Sequence, residues 1–302
     1  MGAQLRAVRR RIRSVQSTAK ITRAQELIAS SRIIKAQQRV REAEPYAREL
    51  TRAVTAAVSR SAQVDHPLTM TATDPKRAAV LILTSDRGFA GGYNATVLRE
   101  AQGLRMLLRE QGVTAVPFVS GRKGIAWHSF RDLEMAAQWS GYSETPRQRD
   151  AAAIASELLA AFARPTEDGG VDEIHIVYTQ FVSMLTQRPV IRRMLPLEVE
   201  ETAEPLAIGP VPVYEFEPSP QGVLDSLLPW YVESRIYHAL LDAAAAEIAA
   251  RRRAMKSATD NAHDLIDSLT LEANKARQSE ITQEISEIVG GANAMAESIA
   301  GS

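Results

Sequence analysis

The turn best suited to binding chemistry covers residues 84–94, which read Thr-Ser-Asp-Arg-Gly-Phe-Ala-Gly-Gly-Tyr-Asn. It follows a strand-like apolar run at 79–83 and opens a helical pattern. Free backbone N–H groups at such a turn attract anions, so a phosphate site is one interpretation. The turn matches neither glycine-rich nucleotide motif, and no lysine in it is placed to reach a phosphate. A tight structural turn is the favoured interpretation, as it is for Gly121 to Gly124.

Other chemistry-bearing residues do not assemble into a site. The five histidines are scattered, and none has a histidine four residues away that would make a helical metal pair. Glu200-Glu201 lies in a proline-rich acidic loop, which is typical of solvated carboxylates. The run Arg251-Arg252-Arg253 predicts either a solvated helix face or a contact with an acidic partner. We therefore predict no catalytic, cofactor-binding or metal-binding residue.

Composition excludes several classes of protein. The 302 residues include 36 basic and 36 acidic side chains, and a net charge of zero argues against a wholesale nucleic-acid binder. The absence of cysteine excludes disulfides and thiolate catalysis. Aromatic residues make up only 5% of the chain, which favours long helices. No stretch approaches the roughly 18 apolar residues of a membrane span, so no membrane insertion is expected.

Glycine and proline divide the chain into three parts. Most of both lie between residues 88 and 222, which leaves two long helix-competent ends around a turn-rich middle. We predict an N-terminal helix over 1–64, a linker over 65–75, a central domain over 76–215 and a C-terminal helix over 222–302.

The two ends are suited to pair with each other. Residues 1–60 carry fourteen basic and four acidic side chains, whereas residues 222–302 carry seven and twelve. Apolar residues at steps of three and four predict a coiled-coil seam on both helices, which we expect to run antiparallel. Pro45 is expected to kink or interrupt the first helix. The predicted seam residues are Ile12, Leu265, Leu269, Ile281 and Ile285.

The middle alternates strands and helices, which predicts an open, mostly parallel, Rossmann-like α/β domain. Val190 to Leu195 is expected to be an edge strand, because it follows Pro189. The other predicted strands are 79–83, 115–120 and 173–178, and the predicted helices are 94–110, 121–130 and 147–163.

Three blocks of sequence resemble the gamma subunit of F-type ATP synthase, and the segment Pro165 to Gly170 resembles its actinobacterial branch. Together they span nearly the whole chain in order. The first is Arg11 to Arg32 with Thr18-Ala19-Lys20-Ile21-Thr22-Arg23-Ala24, and the second is Ser85-Asp86-Arg87-Gly88 with Gly91 and Asn94. The third is Glu233 to Ala262, followed by Asn274 to Gln278, Ile281 to Ile285 and Glu287 to Ala292.

The resemblance implies a central rotor shaft that is not itself an enzyme. The coiled coil would enter the hexamer of alpha and beta subunits, and the α/β domain would meet the epsilon subunit and the membrane c-ring. Rotation of the c-ring, driven by protons, would be coupled to ATP synthesis, and ATPase activity and proton flow would be regulated. The chain would bind no cofactor, while ATP, ADP and Mg²⁺ would sit on the alpha and beta subunits. It would be peripheral to the cell membrane, on the cytoplasmic side.

The resemblance also implies contacts with the beta subunits. The residues concerned are Lys20, Arg23, Arg277, Gln278, Thr282 and Glu284. The chain departs from common members at Gln25 and Leu27, where methionine is frequent, and in an insertion at 165–170.

Within that insertion, Glu167, Asp168, Gly169 and Gly170 form an acidic tip, which the two glycines are expected to make flexible. A tolerated surface insertion is one interpretation of this tip. The other is a regulatory loop that touches the c-ring and restrains rotation in the hydrolysis direction.

Two other functions stay open from the residues alone. One is an independent nucleotide-binding α/β enzyme. The other is a coiled-coil interaction protein whose basic N-terminal helix binds nucleic acid, against which the zero net charge counts.

Overall fold

A computed structural model describes residues 3–60, 68, 72, 74–197 and 220–300. Most of the predicted linker and the Glu200-Glu201 pair lie outside them, and the predicted domain boundaries stay predictions. The chain forms two compact units, one of Met1–Ile28 with Arg252–Ser302 and the other of Ala29–Arg251. Helix α1 (Ala3–Arg60) and helix α5 (Pro220–Ala300) each contribute residues to both units.

The first unit is an antiparallel pair of helices. Leu5 and Val8 pack against Leu269 and Ala273. Further along α1, the hydroxyl of Thr22 lies 2.7 Å from that of Thr259. Since residue numbers rise along α1 as they fall along α5, the predicted antiparallel coiled coil is confirmed.

The seam has a strict heptad spacing. On α1 the positions turned inward, each buried or half-buried, are Leu5, Val8, Ile12, Val15, Ala19, Thr22 and Glu26. On α5 they are Met255, Thr259, Ala262, Ile266, Leu269, Ala273, Ala276 and Glu280. Steps of three and four alternate without a break on both helices, so small and polar side chains occupy half of the seam.

Three of the predicted seam residues need correction. Leu265 is 42% exposed, because the seam passes through Ala262 and Ile266 on either side of it. Ile281 and Ile285 are 45% and 55% exposed. With Leu5 opposite Leu269 and Ala273, no described residue of α1 lies opposite them. Ile12 packs in the same cluster as buried Leu269.

The second unit contains a five-stranded sheet in the order β3-β2-β1-β4-β5. The first four strands are parallel and β5 runs antiparallel at the edge, so the predicted open sheet is confirmed. The strands are β1 (Arg77–Leu83), β2 (Thr114–Ser120), β3 (Ala137–Trp139), β4 (Glu173–Phe181) and β5 (Gln187–Leu195). The three-residue β3 was not predicted, since it is too short to show an alternating pattern.

Helices cover both faces of the sheet. They are α2 (Tyr93–Glu110), α3 (Arg122–Ser129) and α4 (Gln148–Ala163). On one face, α2 and α3 pack against Val80 and Ile82. On the other, Ile154 and Leu158 of α4 share a core with Leu224, Leu228, Val232 and Ile236 of α5. The first part of α5 is therefore a layer of the α/β domain.

Residues 241–250 of α5 are buried on every face of the helix. Ala245, Ile248 and Ala249 contact α1 through its residues Ala29, Ile33 and Ala36. Neighbouring Ala246 and Ala250 contact the turn before α2. Alanine allows this close approach, because a larger side chain would hold the neighbouring elements apart.

Proline does not interrupt α1 as predicted. The helix continues through Pro45, which removes one backbone N–H donor but leaves the rest of the ladder in place. Buried Ala36 and Leu50 hold the helix against its surroundings on either side of the proline. Packing thus outweighs the local preference.

We predict that Leu269→Ala destabilises the helical pair, whereas Leu265→Ala does not. Loss of a buried leucine costs about 2–5 kcal/mol, whereas truncation of a partly exposed one costs well under half of that. Both variants replace leucine with alanine in a helix, so the change in helix propensity is the same. The difference between their free energies of unfolding, measured with urea and far-UV circular dichroism, therefore reports the difference in packing. Equal losses in the two variants would contradict the observed seam.

Candidate functional site

The crevice at the carboxyl edge of the sheet is filled by the chain itself. In open α/β sheets, nucleotides bind where neighbouring strands connect in opposite directions, which here is between β1 and β4. Ala246 and Ala250 of α5 occupy this place and pack against Ala90, Tyr93 and Phe181. The structure therefore does not favour the nucleotide-binding enzyme.

The turn after β1 is held by its own hydrogen bonds. Asn94 accepts one from the backbone N–H of Ser85 at 2.9 Å. The carboxylate of Asp86 accepts backbone N–H groups from Gly141 at 2.7 Å, Ser143 at 3.0 Å and Arg122 at 3.2 Å. Asp86 thus joins the loops that follow β1, β2 and β3, and the structural interpretation of this turn fits the geometry.

An ion-pair cluster connects this turn to both long helices. We call Arg251, Glu247, Glu144 and Arg32 the Arg251 cluster. The guanidinium of Arg251 donates to Glu247 at 2.7 Å and to Glu144 at 3.0 Å. Arg32 on α1 pairs with the other carboxylate oxygen of Glu144. The cluster links α1, α5 and the loop after β3.

Arg251 also binds the backbone of the turn. Its Nε donates to the carbonyl of Gly88 at 3.2 Å, and Nη2 donates to the carbonyl of Arg87 at 3.3 Å. The planar guanidinium thus reaches two carboxylates and two carbonyls, a geometry that lysine cannot reproduce. Next to these contacts, Phe89 adopts a left-handed backbone with a φ of 63°.

The environment of the cluster is strongly desolvated. Glu247 is 1% exposed, and burial raises its pKa to about 7 against the opposing effect of Arg251. Burial and the nearby Glu247 raise the pKa of Tyr93 well above its ordinary value. The Tyr93 hydroxyl donates to the carbonyl of Ala243 at 3.2 Å. Removing Arg251 would leave a buried carboxylate without its cation.

A second carboxylate is buried one helical turn earlier on α5. Asp242 is 4% exposed, and burial raises its pKa to about 7 while Arg192 on β5 opposes the shift. Nδ1 of His238 lies 3.8 Å from the Asp242 carboxylate. Each of the two acids in this buried stretch thus has an arginine nearby that partly offsets the cost of burying its charge.

The arginine run at 251–253 does not form one face. Arg251 is buried in the cluster, Arg252 is half-buried and Arg253 is exposed. For Arg251, the acidic partner that the sequence predicts therefore lies within this chain. Spacing could have indicated this, because Glu247 and Arg251 stand four residues apart on one helix. The contribution of Glu144 comes from a loop and has no local signal in the sequence.

The expected beta-subunit contacts occupy two places in the first unit. Lys20 and Arg23 are exposed on the paired part of α1, near Thr22 and its partner Thr259. The other group is exposed on α5 and consists of Arg277, Gln278, Thr282 and Glu284. At 1.5 Å per residue, about 25 Å of helix separates the two groups.

Arg23 has a structural contact of its own. Its guanidinium pairs at 2.8 Å with Glu26, whose side chain is 8% exposed at a seam position. Arg23 thus compensates a carboxylate inside the coiled coil. A substitution of Lys20 therefore tests an external contact of α1 without removing the ion pair of Arg23.

The predicted acidic loop forms an ordered turn. Thr166–Asp168 is a short 3₁₀ helix, and Glu167 and Asp168 are exposed. Asp172 instead accepts hydrogen bonds from Thr166 at 2.6 Å and from the backbone N–H of Lys76 at 2.7 Å. These bonds lower the pKa of Asp172 in spite of burial, which raises it.

The two glycines of this loop serve geometry rather than flexibility. Gly169 has a φ of +86°, a left-handed conformation that glycine adopts without strain. A Cβ on Gly170 would lie 1.9 Å from the carbonyl oxygen of Arg164. The expectation of a flexible tip is therefore corrected, and only Glu167 and Asp168 remain as free-standing carboxylates of the tip.

Among the described residues, no group of histidine and acidic side chains could hold a metal ion. Within the same part of the chain, no helix has both the length and the apolar character needed to cross a membrane.

Fold and site together define a coiled-coil protein with an α/β domain whose ligand crevice is closed. The sequence model of a family described as ATP synthase matches residues 4–295. The ATP synthase gamma chain of Acidothermus cellulolyticus is 62% identical over 98% of both chains, and that of Kineococcus radiotolerans is 59% identical over 99% of both. The chain therefore belongs to the ATP synthase gamma chain family.

Solved structures share the fold at lower identity. The rotor of the Euglena gracilis mitochondrial ATP synthase in rotational state 1 is 13% identical, with a TM-score of 0.66 over 93% of this chain and all of that one. A chain of the Tetrahymena thermophila central stalk and c-ring is 20% identical, with a TM-score of 0.58 over 79% of this chain and 99% of that one.

We predict that Arg251→Met destabilises the chain by about 3–5 kcal/mol, because Glu247 loses its buried partner. The double variant Glu247→Gln with Arg251→Met should be less destabilised, since no buried charge remains. A folded-state pKa above the unfolded value costs stability as pH rises past the unfolded value. The pKa of Glu247 is about 7 with Arg251 present and higher without it, so the defect of Arg251→Met should grow as the pH rises above about 7.

The matched control is Arg253→Met, an exposed arginine of the same run. Its effect on urea unfolding should stay within about 0.5 kcal/mol. Strictly additive losses in the double variant would show that Arg251 and Glu247 are not energetically coupled.

Proposed function

We propose that this chain is the central rotor shaft of an ATP synthase and performs no catalysis itself. The observation that carries the proposal is the long antiparallel pair of helices, in a chain whose α/β domain has a closed ligand crevice. Family membership supports it, because the matched relatives are ATP synthase gamma chains along their full length. Such a part has to resist twisting, and buried ion pairs with planar guanidinium geometry provide that resistance.

The proposed partners follow from the same membership. The coiled coil would turn inside the hexamer of alpha and beta subunits, and the α/β domain would face the epsilon subunit and the c-ring. Solved structures with the same fold come from ATP synthase assemblies that contain F1, the central stalk and the c-ring. ATP, ADP and Mg²⁺ would bind the alpha and beta subunits, and the chain would lie at the cytoplasmic side of the membrane.

The single-chain structure leaves a surface for such a partner. Residues 281–292 of α5 are exposed all around the helix, including Ile281, Ile285 and Ile288. An apolar helix end without a covering element gains free energy when a surrounding protein wall removes it from water. The hexamer of alpha and beta subunits, surrounding the two helices, would supply that surface.

The α5 contacts are tested with Arg277→Ala combined with Gln278→Ala. Both side chains are exposed, so the complex should assemble normally. We expect coupled ATP synthesis in membrane vesicles to fall by about twofold to tenfold, as for the loss of a coupling contact. The matched control is Glu272→Ala with Lys275→Ala, an exposed pair one turn earlier on the same helix.

Normal synthesis by fully assembled Arg277→Ala, Gln278→Ala complexes would exclude these residues from transmission of the drive. An equal loss in the control would show a general effect on the helix.

The proposed regulatory role of the acidic loop is tested by charge reversal. Deleting residues 165–170 would also remove the hydrogen bonds of Thr166 to Asp172 and of Arg77 to Gly170. Glu167→Lys with Asp168→Lys keeps both and changes only exposed charge. If the tip restrains hydrolysis, ATP hydrolysis by intact membranes should rise about twofold and synthesis should fall modestly.

The control for the loop is Glu110→Lys with Glu157→Lys, which makes the same change in net charge at exposed positions of α2 and α4. Unchanged hydrolysis in the loop variant, or the same rise in the control, would reduce the loop to a tolerated surface insertion.

A further inference from the structure

A cavity of about 450 Å³ lies in the α/β domain, on the face of the sheet that α2 and α3 cover. Its floor is formed by Val80 and Ile82 of β1 and Ala115 of β2. Leu98 and Ala101 of α2 form one wall. Trp127 and His128 of α3, with residues 133–136, form the other. The volume is within the range of small-molecule sites, about 300–1,000 Å³.

The cavity exists because α3 is short. Its eight residues span about 12 Å, whereas the seven-residue strand β2 spans about 23 Å. The half of the sheet face near the strand beginnings is thus left to an irregular segment. Small side chains at Ala101, Ala115 and Ala136 do not fill the remaining space.

The charged side chains around the cavity are mostly cationic. Arg105 of α2 and Arg77 of β1 line it, and the one carboxylate in the lining is Glu134, which is exposed. Arg77 donates to the carbonyl of Gly170 at 3.0 Å. Arg105 makes no ion pair or hydrogen bond with any residue in the described part of the chain. Its charge is available to a ligand.

His128 adds a neutral polar group. The ring is 3% exposed, and its Nδ1 lies 2.9 Å from the carbonyl of Gly124, which requires a proton on Nδ1. Burial lowers the pKa of His128, and the positive charges of Arg105 and Arg131 lower it further. At neutral pH the imidazole is thus uncharged, and its Nε2 is an acceptor. Arg131 stacks over the Trp127 ring at 4.2 Å.

We propose that this cavity binds a small amphiphilic organic anion, whose apolar body lies between α2 and the sheet and whose carboxylate or sulfonate pairs with Arg105. Apolar walls supply most of the affinity. The arginine selects for a negative head group. This site is separate from the Arg251 cluster and is independent of the rotor function.

The test is a titration of the full-length chain with anilinonaphthalene sulfonate, followed by its fluorescence. We expect one saturable site from which decanoate displaces the probe. Ala101→Leu, which fills the cavity, should weaken binding at least about tenfold. Arg105→Met keeps a long side chain without the charge and should weaken binding about tenfold. Arg99→Met, an exposed arginine of α2 outside the lining, should stay within about twofold.

Two results would overturn the proposal. Unchanged probe affinity in both Ala101→Leu and Arg105→Met would place the binding elsewhere. Loss of the site in Ile281→Ser with Ile285→Ser would assign it to the exposed end of α5. Since Arg105 is exposed, its variant should fold even if Ala101→Leu does not, and circular dichroism checks both.

Discussion

The tight passage of α5 through the α/β domain is the constraint on which the rest of the structure depends. Ten consecutive residues, 241–250, are buried around the whole circumference of the helix. Only narrow side chains allow α1, the turn before α2 and the sheet to approach it together, which explains the alanines. The same burial sets the chemistry, because Asp242 and Glu247 lie in this stretch and each requires a cation nearby. Arg251 meets that requirement for Glu247 and also connects to Glu144 and the turn at Arg87 and Gly88.

This constraint also changes what the sheet can do. A parallel sheet normally leaves a crevice at the carboxyl ends of its strands, and ligands enter there. Here Ala246 and Ala250 fill the crevice, and the loops around it bind one another through Asp86. The place where other proteins of this architecture bind ligands here holds helix α5 and the surrounding loops together. What remains open is the opposite half of the sheet, where short α3 leaves a cavity.

Sequence patterns predict the parts of this fold that rest on apolar periodicity. The strands at β1 and β4, helix α4 and the pairing of the two long helices are examples. The exact seam does not follow from such patterns, because Ala19, Thr22 and Glu26 occupy buried positions while Leu27 and Ile28 are 56% and 45% exposed. A search for apolar residues thus selects the wrong stripe. The Arg251 cluster is equally hidden, since Glu144 lies in a loop more than a hundred residues away.

The end of α5 shows that its surface is adapted to surroundings other than a longer α1. If the heptad spacing continued beyond Ala276 and Glu280, the next inward positions would be Gln283 and Glu287. Both are polar, so the coiled-coil seam ends in the sequence as well as in the structure. The apolar residues Ile281, Ile285 and Ile288 follow a different stripe, rotated by about 100° from the seam, or one residue of helix. A stripe on that side, flanked by polar residues, favours contact with a surrounding wall. It does not favour a second helix bound along the seam. This arrangement suits a rotating shaft. A narrow apolar stripe excludes water at the contact but binds its surroundings less strongly than a knobs-into-holes seam would.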